Sequence, residues 1–325
     1  MADRTQTPAG RPVTPSAPAL PRIWPRVVAV ALVVVVGVVA AWGVARAARD
    51  DADRRERLLA QQTANLAEST AQQLLAAISG ASGLADETGA VRADAFRAYA
   101  LGTVEASPFQ TLAYAPVVPA EGRAMFEAAT GHPIVDAPGA PPAGPRDLYL
   151  PVQWVVPMVG VTDQLIGFDL LNDDARRAAA EQARDGGEAV VSPVVPGQPN
   201  RAPSIIVAHP VYRAGAPVAT VEQRRMAIAG VVVTGVQGDG LFEAIDSQLG
   251  GRVSLRVEDA APAVDEPLPL FQSNPPPRDG VAVERTIGGR PWRITVDDRR
   301  GVPVAAPWWL LVATGALAGT LAVLA

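Results

Sequence analysis

The chain has 325 residues, a formal net charge of −5 and no cysteine. The mild charge excludes a strongly basic surface for nucleic acid, and the lack of thiols excludes disulfides and thiolate metal sites. The length allows two domains of ordinary size.

The N-terminal region predicts a membrane anchor. Residues 1–26 are rich in Pro, Ala, Thr and Arg and predict a disordered cytoplasmic tail. Residues 27–45 carry no charge and predict transmembrane helix 1, since a helix of that length spans about 28 Å, close to the thickness of a bilayer core. A cleaved signal peptide is the competing interpretation, because Ala45-Arg46-Ala47 has the small-x-small form of a cleavage site. Arginines flank the span on both sides, so the positive-inside count does not decide its orientation.

Residues 46–80 predict a stalk helix, because strong helix formers run from Asp51 to Ser79 without Pro or Gly. Semi-apolar side chains recur there at three- and four-residue steps. They are Leu59, Thr63, Leu66, Thr70, Leu74 and Ala77. This stripe fits a dimeric stalk and packing on the helix's own domain equally well.

Helices and strands then alternate. Residues 92–105 predict a helix, 109–118 a strand, 119–130 a short helix and 136–145 a loop rich in Pro and Gly.

The stretch 149–193 predicts an apolar strand, a second short strand, an amphipathic helix and a third strand. Asn172 is the expected helix cap, and the pair Gly186-Gly187 is the expected stop.

After a polar loop, the later residues are rich in strand patterns. Predicted strands lie at 204–212, 226–236 and 253–257, with a loop at 213–224 and a short helix at 241–249; a hairpin at 281–296 turns at Gly288-Gly289.

The C-terminal stretch 307–325 predicts transmembrane helix 2. Arg299 and Arg300 precede it, Trp308 and Trp309 stand at the expected interface level, and unbroken apolar residues follow. The chain is expected to end in or at the end of this span, without its output domain. Gly315 and Gly319 form a G-x-x-x-G pair that allows close helix approach.

The inventory of catalytic residues is poor, and it predicts neither an enzyme nor a cofactor. The two histidines, His132 and His209, lie far apart without metal-ligand spacing, and His209 is expected to be a packed side chain with one hydrogen bond. Asp169 follows an apolar run, so its charge requires a partner. Either Arg176 or Arg177, or backbone N–H groups near the helix start, supply it, or Asp169 contacts a ligand; the structural alternative is favoured.

Two further side chains stand at strand positions. Trp154 shares one strand face with Val152 and Val156, as in a plain core. Ser192 ends the third strand, where a hydroxyl reaches either the backbone or a ligand.

The ordered motifs resemble the CHASE domain, the extracytoplasmic sensor module of receptor kinases and cyclases. They are Arg123-x-x-Phe126-Glu127, Pro-Val-x-Trp ending at Trp154, Gly-x-Asp ending at Asp169, the helix with its Gly and Ser-Pro, and Pro-Val-Tyr ending at Tyr212.

The resemblance implies an α/β (α+β) fold in which the stalk helix is followed by two PAS-like lobes, at 81–215 and 216–305, between two transmembrane helices. The two predicted spans indicate a multi-pass protein of the cell membrane, and the stalk and the spans predict a homodimer formed through them. The resemblance also implies a small-molecule ligand. By motif it implies ligand contacts from Trp154, Asp169, Ser192, Ile206 and Ala208. The expected function is a receptor that signals to a histidine kinase or diguanylate cyclase; the alternative is a membrane-anchored enzyme or scaffold.

Overall fold

The computed structural model describes residues 24–105, 111–157, 162–196, 202–261, 268–278 and 280–299, with a few isolated positions after 311. The helices are α1 (Trp24–Ser79), α2 (Ala93–Glu105), α3 (Arg123–Thr130), α4 (Asp174–Gly186), α5 (Val221–Ala227) and α6 (Gly238–Gln248). The strands are β1 (Leu112–Pro116), β2 (Val118–Pro119), β3 (Leu148–Tyr149), β4 (Trp154–Val156), β5 (Val190–Val191), β6 (Ser204–Tyr212), β7 (Ile228–Gln237), β8 (Val253–Asp259), β9 (Pro269–Gln272), β10 (Val281–Ile287) and β11 (Arg290–Asp298).

The chain divides into two units, Met1–Asp53 with Val302–Ala325, and Arg54–Gly301. In the first unit, the start of α1 is strongly apolar, and Leu32 and Trp42 are 65% and 62% exposed. Among the described residues, one helix is long and apolar enough to cross a membrane, by its length and composition alone. The predicted second span, 307–325, lies outside the described residues except for isolated positions, as does most of the predicted tail.

The second unit contains two main antiparallel sheets. The first has the strand order β4-β1-β7-β6-β5, and the second has the order β10-β11-β8-β9; β2 and β3 form a small separate pair. A mixed fold with a long N-terminal helix followed by antiparallel sheets confirms the predicted fold class. The strand β7 pairs with β1 and β6, although it lies beyond residue 215, where the sequence predicts the first lobe to end.

The stripe predicted on the stalk helix packs on the helix's own unit. Thr63 is fully buried and Leu74 is 4% exposed, and Leu59, Leu66 and Ala77 contact the same core. Packing on the helix's own domain is therefore observed for this stripe, and a homodimer formed through the stalk stays a prediction.

Two local predictions are wrong. The predicted loop at 213–224 ends in α5, whose start is closed by a capping box in which Thr220 and Gln223 satisfy each other's backbone N–H groups. The second short strand predicted in 149–193 is reduced to isolated bridges of Phe168 with Val135 and Asp169 with Pro151, between 3₁₀ turns at Thr162–Leu165 and Leu170–Asn172.

The predicted hairpin at Gly288-Gly289 is confirmed, and its turn touches the first sheet. Gly288 and Gly289 have φ values of 56° and 78°, which favour glycine. The Val191 N–H donates to the Gly288 carbonyl at 3.1 Å. A Cβ on Gly288 would lie 2.3 Å from a Val191 side-chain carbon, so the close approach also requires glycine.

Candidate functional site

One face of the first sheet is lined by small and β-branched side chains and covered by α4. Successive residues of a strand point to opposite faces, so alternate positions of the central strands meet α4. These positions are Ala113 and Ala115 of β1, Ile206 and Ala208 of β6, and Val231 and Val233 of β7. They share one core cluster with the three buried alanines of α4, Ala179, Ala180 and Ala183.

Local interactions define both ends of α4. The Asp173 carboxylate accepts a hydrogen bond from the Arg176 N–H at 2.9 Å, so Asp173 is the N-cap, and the cap predicted at Asn172 is wrong by one residue. Asn172 instead donates its side-chain N–H to the Asp136 carbonyl. Gly187, with a φ of 81°, ends the helix, as the sequence predicts. The inward alanines allow α4 to lie close to the sheet.

A cavity of about 70 Å³ lies between α4 and the sheet. Its lining side chains are Val117, Leu148, Leu150, Leu171, Ala180, Glu181, Arg184, Ile228 and Val231. The lining is therefore mostly apolar, with one carboxylate and one guanidinium. The Arg184 guanidinium donates to Asp185 at 2.7 Å. Ligand pockets commonly combine an apolar lining with a few polar groups, as this cavity does.

Asp169 is fully buried beside this region and is held by three hydrogen bonds. One carboxylate oxygen accepts from the backbone N–H groups of Leu150 and Leu171, at 2.9 and 3.1 Å. The other accepts from the Arg146 guanidinium at 2.7 Å. The favoured structural role is thus observed, but the predicted partners Arg176 and Arg177 are wrong, since Arg177 pairs with Asp174 and Arg176 with Asp173.

Arg146 joins Asp169 to the preceding loop. Its guanidinium also donates to the carboxylate of Asp136 at 2.6 Å and to the side-chain oxygen of Asn172 at 3.2 Å. Two carboxylates thus share one guanidinium, with Asp169 on the buried side and Asp136 partly exposed. This network fixes the path of the loop that carries Leu148 and Leu150 to the cavity.

A second ion-pair network, formed by Arg123 and Glu127, anchors the other side of the same loop. The Arg123 guanidinium donates to Glu127 at 2.8 Å and to the Ala143 carbonyl at 2.8 Å, and it lies over the ring of Tyr149. The Ile134 N–H donates to the Glu127 carboxylate and, together with Arg123, holds the pKa of Glu127 below its usual range. The Arg-x-x-x-Glu spacing therefore serves to anchor the loop.

Ser192, Ile206 and Ala208 are close together on neighbouring strands. The Ile206 N–H donates to the Ser192 hydroxyl at 2.9 Å, and that hydroxyl donates to the Pro193 carbonyl at 2.6 Å. Both polar functions of Ser192 therefore serve the backbone. Ile206 and Ala208 are buried on the face that meets α4.

Trp154 lies on the opposite face of the same sheet. Its ring stacks on Tyr114 and Phe96, with centroid distances of 5.5 and 5.8 Å. It belongs to the core that includes α1 and α2. The structure thus places Trp154 apart from the sheet face that holds Ile206 and Ala208.

Neither histidine takes part in a metal site among the described residues, where no group of three potential ligands is found. His132 is exposed. His209 is packed, as predicted, but the predicted hydrogen bond is wrong, because neither ring nitrogen has a partner in the part of the chain described. Burial lowers the pKa of His209 to about 4.

The sequence patterns above do not indicate three residues of this region, Arg146, Ala180 and Glu181. Arg146 directly follows the loop of Pro and Gly residues, and a charged residue between that loop and an apolar strand was an available signal. Ala180 lies on the apolar stripe of a helix whose bounds the sequence predicts well, but no pattern shows that the stripe borders a cavity.

The family model of the CHASE domain matches residues 89–269. A comparison with curated protein sequences gave no match.

Three solved structures are similar to the chain at low identity. The ligand-binding domain of the Pseudomonas aeruginosa PAO1 amino acid chemoreceptor PctC, in complex with GABA, is 12% identical with a TM-score of 0.41, and the alignment covers 74% of this chain and 98% of that one. The corresponding domain of PctB with L-Arg is 12% identical with a TM-score of 0.39, covering 82% and 99%. The periplasmic sensory domain of the Campylobacter jejuni chemoreceptor Tlp1 is 10% identical with a TM-score of 0.46, covering 78% and 98%.

Proposed function

The chain belongs to the CHASE-domain family, and we propose that it is a transmembrane receptor that binds its small-molecule ligand between α4 and the first sheet. CHASE domains are extracytoplasmic sensor modules, so ligand sensing outside the cytoplasm is the function of this part of the chain. The finer proposal concerns the place of binding and the path of the signal.

The observation that carries the place of binding is the cavity beside α4. It is bounded by a rigid sheet on one side and, on the other, by a helix that contacts the sheet mainly through alanines. At about 70 Å³ it is smaller than the roughly 300–1,000 Å³ of most ligand pockets, so binding would move α4 or the adjoining loop outward. Small side chains make such a movement inexpensive, because few contacts are lost.

Four of the side chains that the family resemblance implies have distinct roles in this proposal. Ile206 and Ala208 extend the apolar floor beside the cavity. Asp169 and Ser192 act through the backbone, by fixing Leu150, Leu171 and Ile206. A ligand contact by Trp154 remains a prediction and would need a second surface on the opposite face.

We propose that ligand binding shifts the equilibrium between two arrangements of the sheet and the stalk. A ligand shifts such an equilibrium only through unequal affinity for the two states. The same strands that carry the floor of the cavity pack on α1 and α2 through their other face. This continuity supports transmission through α1 and the predicted spans to a cytoplasmic histidine kinase or diguanylate cyclase, in a homodimer. The lobe boundary that fits this proposal lies after Gln237, where β7 ends.

A matched pair of substitutions on α4 tests the binding site. The full chain in lipid nanodiscs is screened against a metabolite library by thermal shift, and each hit is repeated with Ala180→Leu and Ala178→Leu. Ala180 lines the cavity and Ala178 is exposed on the same helix. We expect Ala180→Leu to abolish the ligand-induced shift and Ala178→Leu to retain it. An equal response of both variants, with both folded, would contradict the proposed site.

Reporter fusions test the topology separately. Fusions placed before Val27 and after Gly139 are expected to report opposite sides of the membrane. Reporters on the same side would exclude the receptor topology, whatever the screen finds.

A further inference from the structure

A second cavity, distinct from the one beside α4, lies where the long helix and both main sheets meet. It has a volume of about 30 Å³, and all of its lining residues are apolar in type apart from the indole nitrogen of Trp292. Ala67, Ala71 and Leu74 come from α1, Val207 comes from the first sheet, and Trp292 and Ile294 come from the second. A molecule held there would contact three elements at once.

Trp292, which lines this junction, carries a hydrogen-bond donor without a partner among the described residues. The side chain is 3% exposed, and its indole N–H has no partner among the described residues. A buried N–H without an acceptor carries an uncompensated desolvation cost, and such groups are rare in folded proteins. An apolar void and a lining side chain whose donor lacks an acceptor therefore occur at the same junction.

Water fits this combination poorly. A buried water typically makes about three hydrogen bonds, and apolar cavities stay dry when they offer fewer partners. The described lining offers one donor and no side-chain acceptor. A molecule that is mostly apolar and carries a single acceptor matches both properties.

We propose that this junction is a second binding site, which takes a small uncharged molecule with one hydrogen-bond acceptor, such as a short ketone or alcohol. The indole N–H of Trp292 donates to the acceptor, and the apolar part fills the void against α1. The volume holds about two water-sized groups, so a ligand of four non-hydrogen atoms requires a small shift of α1. Ala67 and Ala71 are the side chains that leave room for it.

The test uses two probes of the same shape that differ in the acceptor, acetone and isobutene. The full chain in lipid nanodiscs carries ¹⁵N-labelled tryptophan, and the Trp292 indole signal is the one of the six tryptophan signals that Trp292→Phe removes. We expect acetone to move the Trp292 indole proton downfield with saturation. Isobutene is expected to have a dissociation constant about threefold to tenfold higher than that of acetone, with both expressed as free aqueous concentrations. This ratio corresponds to the loss of one hydrogen bond. The signal of Trp154, which does not line this cavity, should stay unchanged.

Two variants and one control separate the void from the donor. Trp292→Phe keeps most of the ring volume and is expected to abolish the preference for acetone over isobutene. The two affinities are measured by following the NMR signal of a labelled Ile294 methyl group while the two probes compete for the cavity. Ala71→Leu fills the void and is expected to lose both probes, whereas Ala76→Leu, exposed on the same helix, keeps both. An unmoved Trp292 signal, equal affinity for the two probes in the unsubstituted chain, or unchanged binding in folded Ala71→Leu would overturn the proposal.

Discussion

The two faces of the first sheet are built from the same strands but differ in what they can do. The face toward α1 and α2 carries three aromatic rings, in which Trp154 stacks on Tyr114 and Phe96, and Tyr114 and Phe96 are tilted against each other. The face toward α4 carries alanine, valine and isoleucine, and a cavity remains there. Large interlocked rings resist rearrangement, whereas a helix that rests on alanines can move at small cost. The part of the α1 and α2 face that holds the three rings is therefore expected to be rigid, whereas the face toward α4 is expected to adapt.

Phe96→Ala should break the rigid face and gives the largest expected effect. Phe96 is fully buried and contacts both other rings. Its truncation is expected to lower the free energy of unfolding by about 3–5 kcal/mol, measured by chemical denaturation. Ala100→Gly on the same helix is a matched control and is expected to cost about 1 kcal/mol. An equal loss from both would show that the rings contribute no special rigidity.

Asp169→Asn probes the side that carries α4. The substitution leaves the partly exposed Arg146 without its buried partner, and we expect a loss of about 3 kcal/mol in the free energy of unfolding. Asp136→Asn removes the exposed partner of the same guanidinium and should cost less than about 1 kcal/mol. If instead Asp169→Asn folds with full stability and loses only its response to ligand, Asp169 is a ligand contact.

The pH dependence of stability tests the face toward α1 and α2, where His209 lies on the same side of β6 as Val207 and Val211. Burial lowers the pKa of His209 to about 4, below its unfolded value of about 6.5. The unfolded chain therefore binds more protons between these pH values, so stability falls as pH decreases from about 6.5 to 4 and is fully present above that window. The expected contribution is about 2–3 kcal/mol. The free energy of unfolding, measured against pH, should lose this slope in His209→Gln and keep it in the control His132→Gln, whose histidine is exposed. An unchanged slope in His209→Gln would contradict the assignment.

Asp173→Ala should loosen α4 with the smallest effect. The substitution removes the N-cap hydrogen bond to Arg176 N–H, and a loss of about 1 kcal/mol is expected. Hydrogen exchange should rise in the first turn of α4 and stay unchanged in α2. Asn172→Ala, at the position that the sequence predicts as the cap, should leave exchange in α4 unchanged; a reversed result would move the cap back to Asn172.

Local signals explain which parts of the fold could be predicted. The Gly pair after α4, the hairpin at Gly288-Gly289 and the helix formers before Ser79 act through nearby backbone, so the sequence predicts these elements. The helix α5 also had a readable signal, because Thr220 and Gln223 have the spacing of a capping box.

The candidate site could not be predicted in the same way, because its residues are brought together by tertiary packing. Arg146 meets Asp169 across a separation of 23 residues, through a loop whose path no periodicity defines. The alternation in β6 shows that Ile205 and Ile206 face opposite ways, but it does not say which face meets α4. That choice decides whether Trp154 and Ala208 can contact one ligand, and only the packing of the helices makes it.

The hydrogen bond between Val191 and Gly288 has a consequence for how copies of this chain behave when crowded. The strand β5 is the last strand of the first sheet, and an open edge strand invites pairing with another chain. Here β5 has only two residues, and the hairpin turn of the second sheet occupies its free backbone donor. Any side chain at position 288 would push the turn away and uncover the edge. We therefore expect this glycine to keep the β5 edge covered and to disfavour pairing of that edge with another chain.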